Sequence, residues 1–123
     1  MRTQGPWLAT VLPVLNEEAH IEACLRSLLD QSLPSEEHMV MVFDGGSSDA
    51  TREIIGSIQD SLNKENDPVL QLYDNPDRFV PHARNLALKH LPESVTHVLE
   101  FNGHIEIDSN HLEQLKSVWN RLE

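Results

Sequence analysis

Short apolar runs alternate along the whole chain with longer stretches in which apolar residues recur every third or fourth position. "WLATVLPVL", Trp7 to Leu15, reads as a buried first strand. Ile21, Cys24, Leu25, Leu28 and Leu29 then form one helical stripe that Leu33-Pro34-Ser35 ends. "HMVMVF", His38 to Phe43, is a second strand, and Asp44-Gly45-Gly46-Ser47-Ser48 a tight turn. Asp49 or Ser48 caps a helix carrying Ile54, Ile55, Ile58 and Leu62. A turn at Asn66-Asp67-Pro68 precedes a third strand, Val69 to Tyr73, and Pro81 suits the first turn of a helix running to about His90. Val95 to Phe101 is the fourth strand. Asp108-Ser109 then caps a last helix with Leu112, Leu115, Trp119 and Leu122 on one face. Strands alternating with helices of this length specify an α/β fold: a Rossmann-like, mostly parallel sheet of about four strands with helices on both faces.

Ligands of such sheets bind beyond the carboxyl ends of the strands, where the strand order reverses. Four segments follow strands and become candidates: Pro13–Glu18, Asp44–Asp49, Tyr73–Arg84 and Glu100–His104. Bulk properties narrow what they hold. The 123 residues suffice for one domain and one core, but are few for a complete two-substrate enzyme. A net charge of -11, from 20 acidic and 9 basic residues, argues against nucleic acid as a partner. An anionic ligand therefore needs local help from a metal, a helix N-terminus or a placed Arg. The lone Cys24 rules out an internal disulfide and points to a reducing, cytoplasmic setting. No run approaches the roughly 18 apolar residues of a membrane span. The pattern stops inside a helix at Leu122-Glu123, and an excised domain is the expectation.

Each segment has a plain and a functional reading. The Asp44–Asp49 turn is either an ordinary strand-to-helix connection or a backbone cradle for an anion. It carries neither the dinucleotide fingerprint G-x-G-x-x-G nor a P-loop lysine, which sets aside a nicotinamide enzyme. Asn16 with Glu17 and Glu18 reads plainly as a helix start, but that leaves Pro13, late in a buried strand, without a reason. Arg78 and Arg84 fall near the predicted crevice, where they would pair with Asp74 or Asp77 or attract a diphosphate. In "VLEFNGHIEID", the strand stops at Asn102-Gly103-His104: a polar turn with positive φ, or a metal or phosphate site in which His104 is the good ligand and the amide a poor one.

In order, "VLPVLNEE", "CLRSLLDQSLP", "VFDGGSSDATREII" and "HARNLAL" resemble the nucleotide-binding half of a family 2, GT-A-type glycosyltransferase, over about Ala9 to Leu115. The resemblance implies a nucleotide-sugar donor, most often a UDP-sugar, and an acceptor hydroxyl of unknown identity. It implies that Pro13, Asn16, Glu17 and Asp44 hold base and ribose, and that Arg84 sits near the diphosphate. For the Gly45-Gly46 turn it implies a base-binding role in place of phosphate binding. Where the family usually has Asp-x-Asp, with carboxylates positioning ribose and a divalent cation (Mn²⁺ or Mg²⁺), this chain has Asn102 and His104. A succinoglycan-type, exopolysaccharide branch carries Asp-Gly-His, so His104 is the implied metal ligand and Asn102 the departure.

The segment holding the family's catalytic base and acceptor site has no counterpart here. The expectation is the donor-binding part of a transferase, residues 1–123 as a single domain, inactive alone. In a longer parent it would work in the cytoplasm, at the membrane face. The alternative is a degenerate, non-catalytic GT-A-like binding or assembly module, for which Asn102 is the main support.

Overall fold

The computed structural model describes residues 5–76 and 80–122. Strand β1 (Leu8–Val14) leads through α1 (Ile21–Leu29) and a single 3₁₀ turn (Ser35–Glu37) to β2 (His38–Asp44). Helix α2 (Thr51–Ser61), β3 (Val69–Asp74), α3 (Val80–His90), β4 (His97–Glu100) and α4 (His111–Leu122) follow. All pairings are parallel, in the order β3-β2-β1-β4, with Leu8 opposite His38 and His97. The strands lie within a residue or two of the predicted runs, apart from a β4 shorter at its start.

Period-two alternation sends Leu12, Val14, Val40 and Val42 to one face, where Ile21, Cys24, Leu25 and Leu28 of α1 and Ile55 and Ile58 of α2 cover them. Ala9, Val11, Met39, Met41 and Phe43 point the other way, under Ala83 and Ala87 of α3. Helix α4 closes the first face beside the edge strand, setting Leu112 on Leu8 with Leu99 and Trp119 around it. Each fully buried Leu, Ile or Val contributes about 1.5–3 kcal/mol, so tertiary burial, more than helix propensity, holds these short helices.

The helix starts differ from the sequence expectation. Helix α1 begins at Ile21 and not after Asn16. Asp49 stands one residue before the N-cap of α2, yet its Oδ1 accepts the Thr51 amide at 2.9 Å. At α4 the Leu112 amide donates to Oε1 of Gln31 at 3.0 Å, a side chain from beyond the end of α1. That glutamine also donates to the Asp108 carbonyl at 2.7 Å, which ties the last helix to the first.

Candidate functional site

The chain runs outward from β1 to β2 and β3, then returns to lay β4 on the other side of β1. The reversal point is therefore the gap between the carboxyl ends of β1 and β4. An open cleft of about 320 Å³ lies there, lined by Val11, Pro13, Arg84, Glu100, Phe101, Asn102 and Ile105.

Pro13 now has a physical reason. Val11 bonds toward β4, its carbonyl accepting the Phe101 amide at 3.0 Å, while Val14 bonds toward β2, accepting the Gly45 amide at 2.9 Å. Pro13, two residues beyond Val11, thus faces the β4 side, and the β1–β4 ladder ends at Val11 opposite Glu100. A missing N–H costs nothing where no strand remains to accept it.

Asn16 is not a helix cap. Its backbone is left-handed, φ 51°, a conformation asparagine tolerates better than most residues. Its amide donates to Oγ of Ser47 at 2.9 Å, and its Oδ1 accepts the Ser48 amide at 2.8 Å. Neighbours repeat the pattern: the Glu17 amide donates to Oγ1 of Thr51 at 2.9 Å, and Glu18 Oε2 accepts the Ala50 amide at 3.1 Å. The first and second loops are bonded into one wall.

Asp44 stands inside that wall. Its side chain is 0% exposed, and its carboxylate accepts the amides of Gly46 and Ser47, the Ser47 hydroxyl and Nη1 of Arg52. Burial pushes its pKa up, but the bonds from Ser47, Arg52 and Gly46 together outweigh burial and hold the carboxyl below the usual range. Arg52 also bridges to Asp74 at 2.7 Å. Asp44, expected to help hold base and ribose, braces the turn from within through its carboxylate. Gly46 has φ 97°, the left-handed geometry that the turn requires of a glycine.

Asn102-Gly103-His104 has a different basis from the positive φ expected of Asn-Gly, because neither residue adopts it. Gly103 is buried against β1, where an added Cβ would meet Cγ1 of Val14 at 3.0 Å and Cγ of Glu17 at 3.3 Å. This close approach brings His104 Nδ1 to 3.6 Å from Oε1 of Glu17. The Cys24 thiol contacts the Asn102 carbonyl at 3.5 Å, and burial pushes that thiol's pKa up to about 11.

Arg84 projects from α3 into the cleft and is held there by Glu100 through Nε and through Nη2, the latter at 2.9 Å. Hydrogen bonding to Glu100 raises the guanidinium pKa further. Glu100 and Asn102, two residues apart, both line the cleft. Arg78 lies outside the described residues. Sequence reasoning missed Ser47, Ser48 and Thr51 as clamps and Glu100 as the partner of Arg84, since no local pattern announces contacts across 16 to 34 positions.

Among the described residues no three His, Cys, Asp or Glu side chains come together as a metal cage. Asn102 is a neutral amide, and Glu100 is engaged with Arg84. What remains, His104 beside Glu17, fits a divalent cation only as one shared with a ligand's own phosphate oxygens, as magnesium and manganese commonly are. Among the described residues no helix is long and apolar enough to cross a membrane.

The family model described as Glycosyl transferase family 2 matches residues 10–123. The chain is 32% identical over 105 residues to the succinoglycan biosynthesis protein ExoA of Rhizobium meliloti, covering 85% of this chain and 30% of that protein. It is 32% identical over 83 residues to a dolichyl N-acetyl-alpha-D-glucosaminyl phosphate 3-beta-D-2,3-diacetamido-2,3-dideoxy-beta-D-glucuronosyltransferase of Methanococcus voltae, covering 68% of this chain and 25% of that protein. The crystal structure of S. aureus TarS superposes with TM-score 0.77 at 25% identity, over 93% of this chain and 32% of that one. Its complex with UDP superposes with TM-score 0.74 at 25% identity, again over 93% and 32% of the two chains. The chain thus spans about a quarter to a third of the length of these relatives.

Proposed function

The chain belongs to glycosyl transferase family 2, and on that premise we propose that it is the donor-binding part of a glycosyltransferase using a nucleotide-sugar, a UDP-sugar first among them. One observation carries the reading: the cleft at the β1/β4 reversal point gathers Pro13, Arg84, Glu100 and Asn102 from three separate elements. The solved TarS complex holds UDP, which supports the same choice of donor. The wall made by Asn16, Glu17 and the Asp44 turn takes the base and ribose, and Arg84 takes the diphosphate. A divalent cation, Mn²⁺ or Mg²⁺, would be held by His104 and Glu17 with the donor's phosphates. When bound, it supplies neutralisation of charge on the departing diphosphate.

In the whole enzyme an acceptor hydroxyl of a growing polysaccharide or glycoconjugate attacks the anomeric carbon. The new carbon–oxygen bond forms as the bond to the diphosphate breaks, the electron pair leaves with the nucleotide diphosphate, and the hydroxyl proton passes to a base. No residue in these 123 matches that base, so the isolated chain binds donor without transferring it. ExoA, a succinoglycan biosynthesis protein, supports polysaccharide synthesis as the setting. Titrating UDP into the ¹⁵N-labelled chain tests the reading. Amide shifts clustered at Asn16, Asp44, Arg84 and His104, and strengthened by Mn²⁺, are expected. Sugar transfer by the chain alone would remove the claim of inactivity.

The neutral Asn102, with no third strong ligand at hand among the described residues, favours a second reading as a degenerate module. A folded chain whose spectrum is indifferent to UDP with and without Mn²⁺ would select it.

A further inference from the structure

Among the described residues lining the cleft, Arg84 is the only cation and Glu100 the only carboxylate, and they are bonded to each other. Nε and Nη2 each meet one oxygen of the carboxylate. That fork is the same geometry a guanidinium offers to a phosphate. The two side chains are 50% and 45% exposed, so exchanging one partner for another requires no buried charge to be uncovered.

Building on the donor reading above, we propose that Glu100 is a stand-in for the donor's diphosphate. Its carboxylate holds Arg84 in the open cleft, and a phosphate then takes the guanidinium from it. Two features of the chain point this way. Glu100 sits at the end of β4 on the cleft side with Asn102, where an entering diphosphate meets it at once. The pair uses two donor nitrogens that a bidentate phosphate contact would need. Glu100 thus sets a threshold for binding: only a ligand outcompeting a fork-on carboxylate enters fully.

The test is a set of titrations of UDP and of uridine into the full chain in EDTA. It uses the native protein, Glu100→Gln, Arg84→Met and the double variant, each shown to be folded by its amide spectrum. Glu100→Gln is expected to tighten UDP by about fivefold or more and to leave uridine unchanged. In the Arg84→Met background the same substitution is expected to give less than about a twofold gain, because no guanidinium remains to be released. Equal gains in both backgrounds would make Glu100 a plain repelling charge and overturn the exchange. Unchanged or weaker UDP binding by Glu100→Gln would also overturn it. Absence of binding by both UDP and uridine in every folded variant would instead sink the donor-site reading, and the exchange with it.

Discussion

Asn16 and Ser48, 32 positions apart in the chain, are joined by the Ser48 amide donating to Oδ1 of Asn16 at 2.8 Å. The Asn16 amide returns the contact to Ser47 at 2.9 Å. The carboxyl ends of two parallel strands are thereby locked together at the loops that follow them, and the wall of the site is a product of folding before any ligand arrives.

That lock has a measurable worth. Asn16→Ala loses the amide side chain and forces alanine into left-handed backbone, and about 2 kcal/mol of stability should go with it in urea unfolding. Asn16→Gly keeps the backbone comfortable and should cost about half as much. Equal costs would mean that the backbone geometry is unimportant.

Gly103 is needed for proximity. Gly103→Ala drives a methyl into Val14 and Glu17 and should destabilise the chain by about 1–3 kcal/mol. It should also move His104 away from Glu17, so any strengthening of UDP binding by Mn²⁺ should shrink. Thermal melting with a metal titration reads both effects, and a fully stable variant would show that the turn yields freely.

Asp44→Asn should be among the costliest polar substitutions. It leaves Arg52 half-unpaired and places an amide N–H₂ among buried donors, a loss of about 3 kcal/mol. The folded carboxyl is held below its ordinary value, so its contribution is present above about pH 4 and disappears as the pH falls through the depressed folded value. Denaturant titrations at pH 7 and at pH 2–3 should therefore show the variant's deficit narrowing in acid. A deficit of the same size at both pH values would refute this account.

His38 makes acid weaken the fold earlier. Buried beside Thr10, with Nε2 at 2.8 Å from its hydroxyl, the imidazole is held down by burial from 6.5 to about 4. Between those values the unfolded chain binds a proton that the folded chain refuses. Stability should thus fall as the pH drops through that window, by on the order of 3 kcal/mol. His38→Gln keeps a partner for Thr10 and should flatten that limb of the curve. An unaltered slope would assign it to other groups.

Metal choice follows from the ligands at the turn. Imidazole and one carboxylate suit manganese better than magnesium, which favours charged oxygens. Mn²⁺ should strengthen UDP binding more than Mg²⁺ does, and Asn102→Asp should narrow the gap by restoring a carboxylate to the cleft. Calorimetry with each ion decides it, and identical enhancement by the two ions would count against His104 as a ligand.

The order of strands and helices, the apolar stripes of the helices and the kinship with a transferase family were all legible in the chain itself. They depend on local periodicity and on short motifs, which neighbouring residues encode directly. The roles of the polar residues were not legible. That Asp44 turns inward, that Gln31 caps a helix 81 residues away, that Asn16 clamps Ser48 and that Glu100 holds Arg84 all rest on partners distant in sequence. A carboxylate or amide looks the same in sequence whether it faces water, a ligand or a buried amide. Only the packing of β1 between β2 and β4 decides which of these it meets.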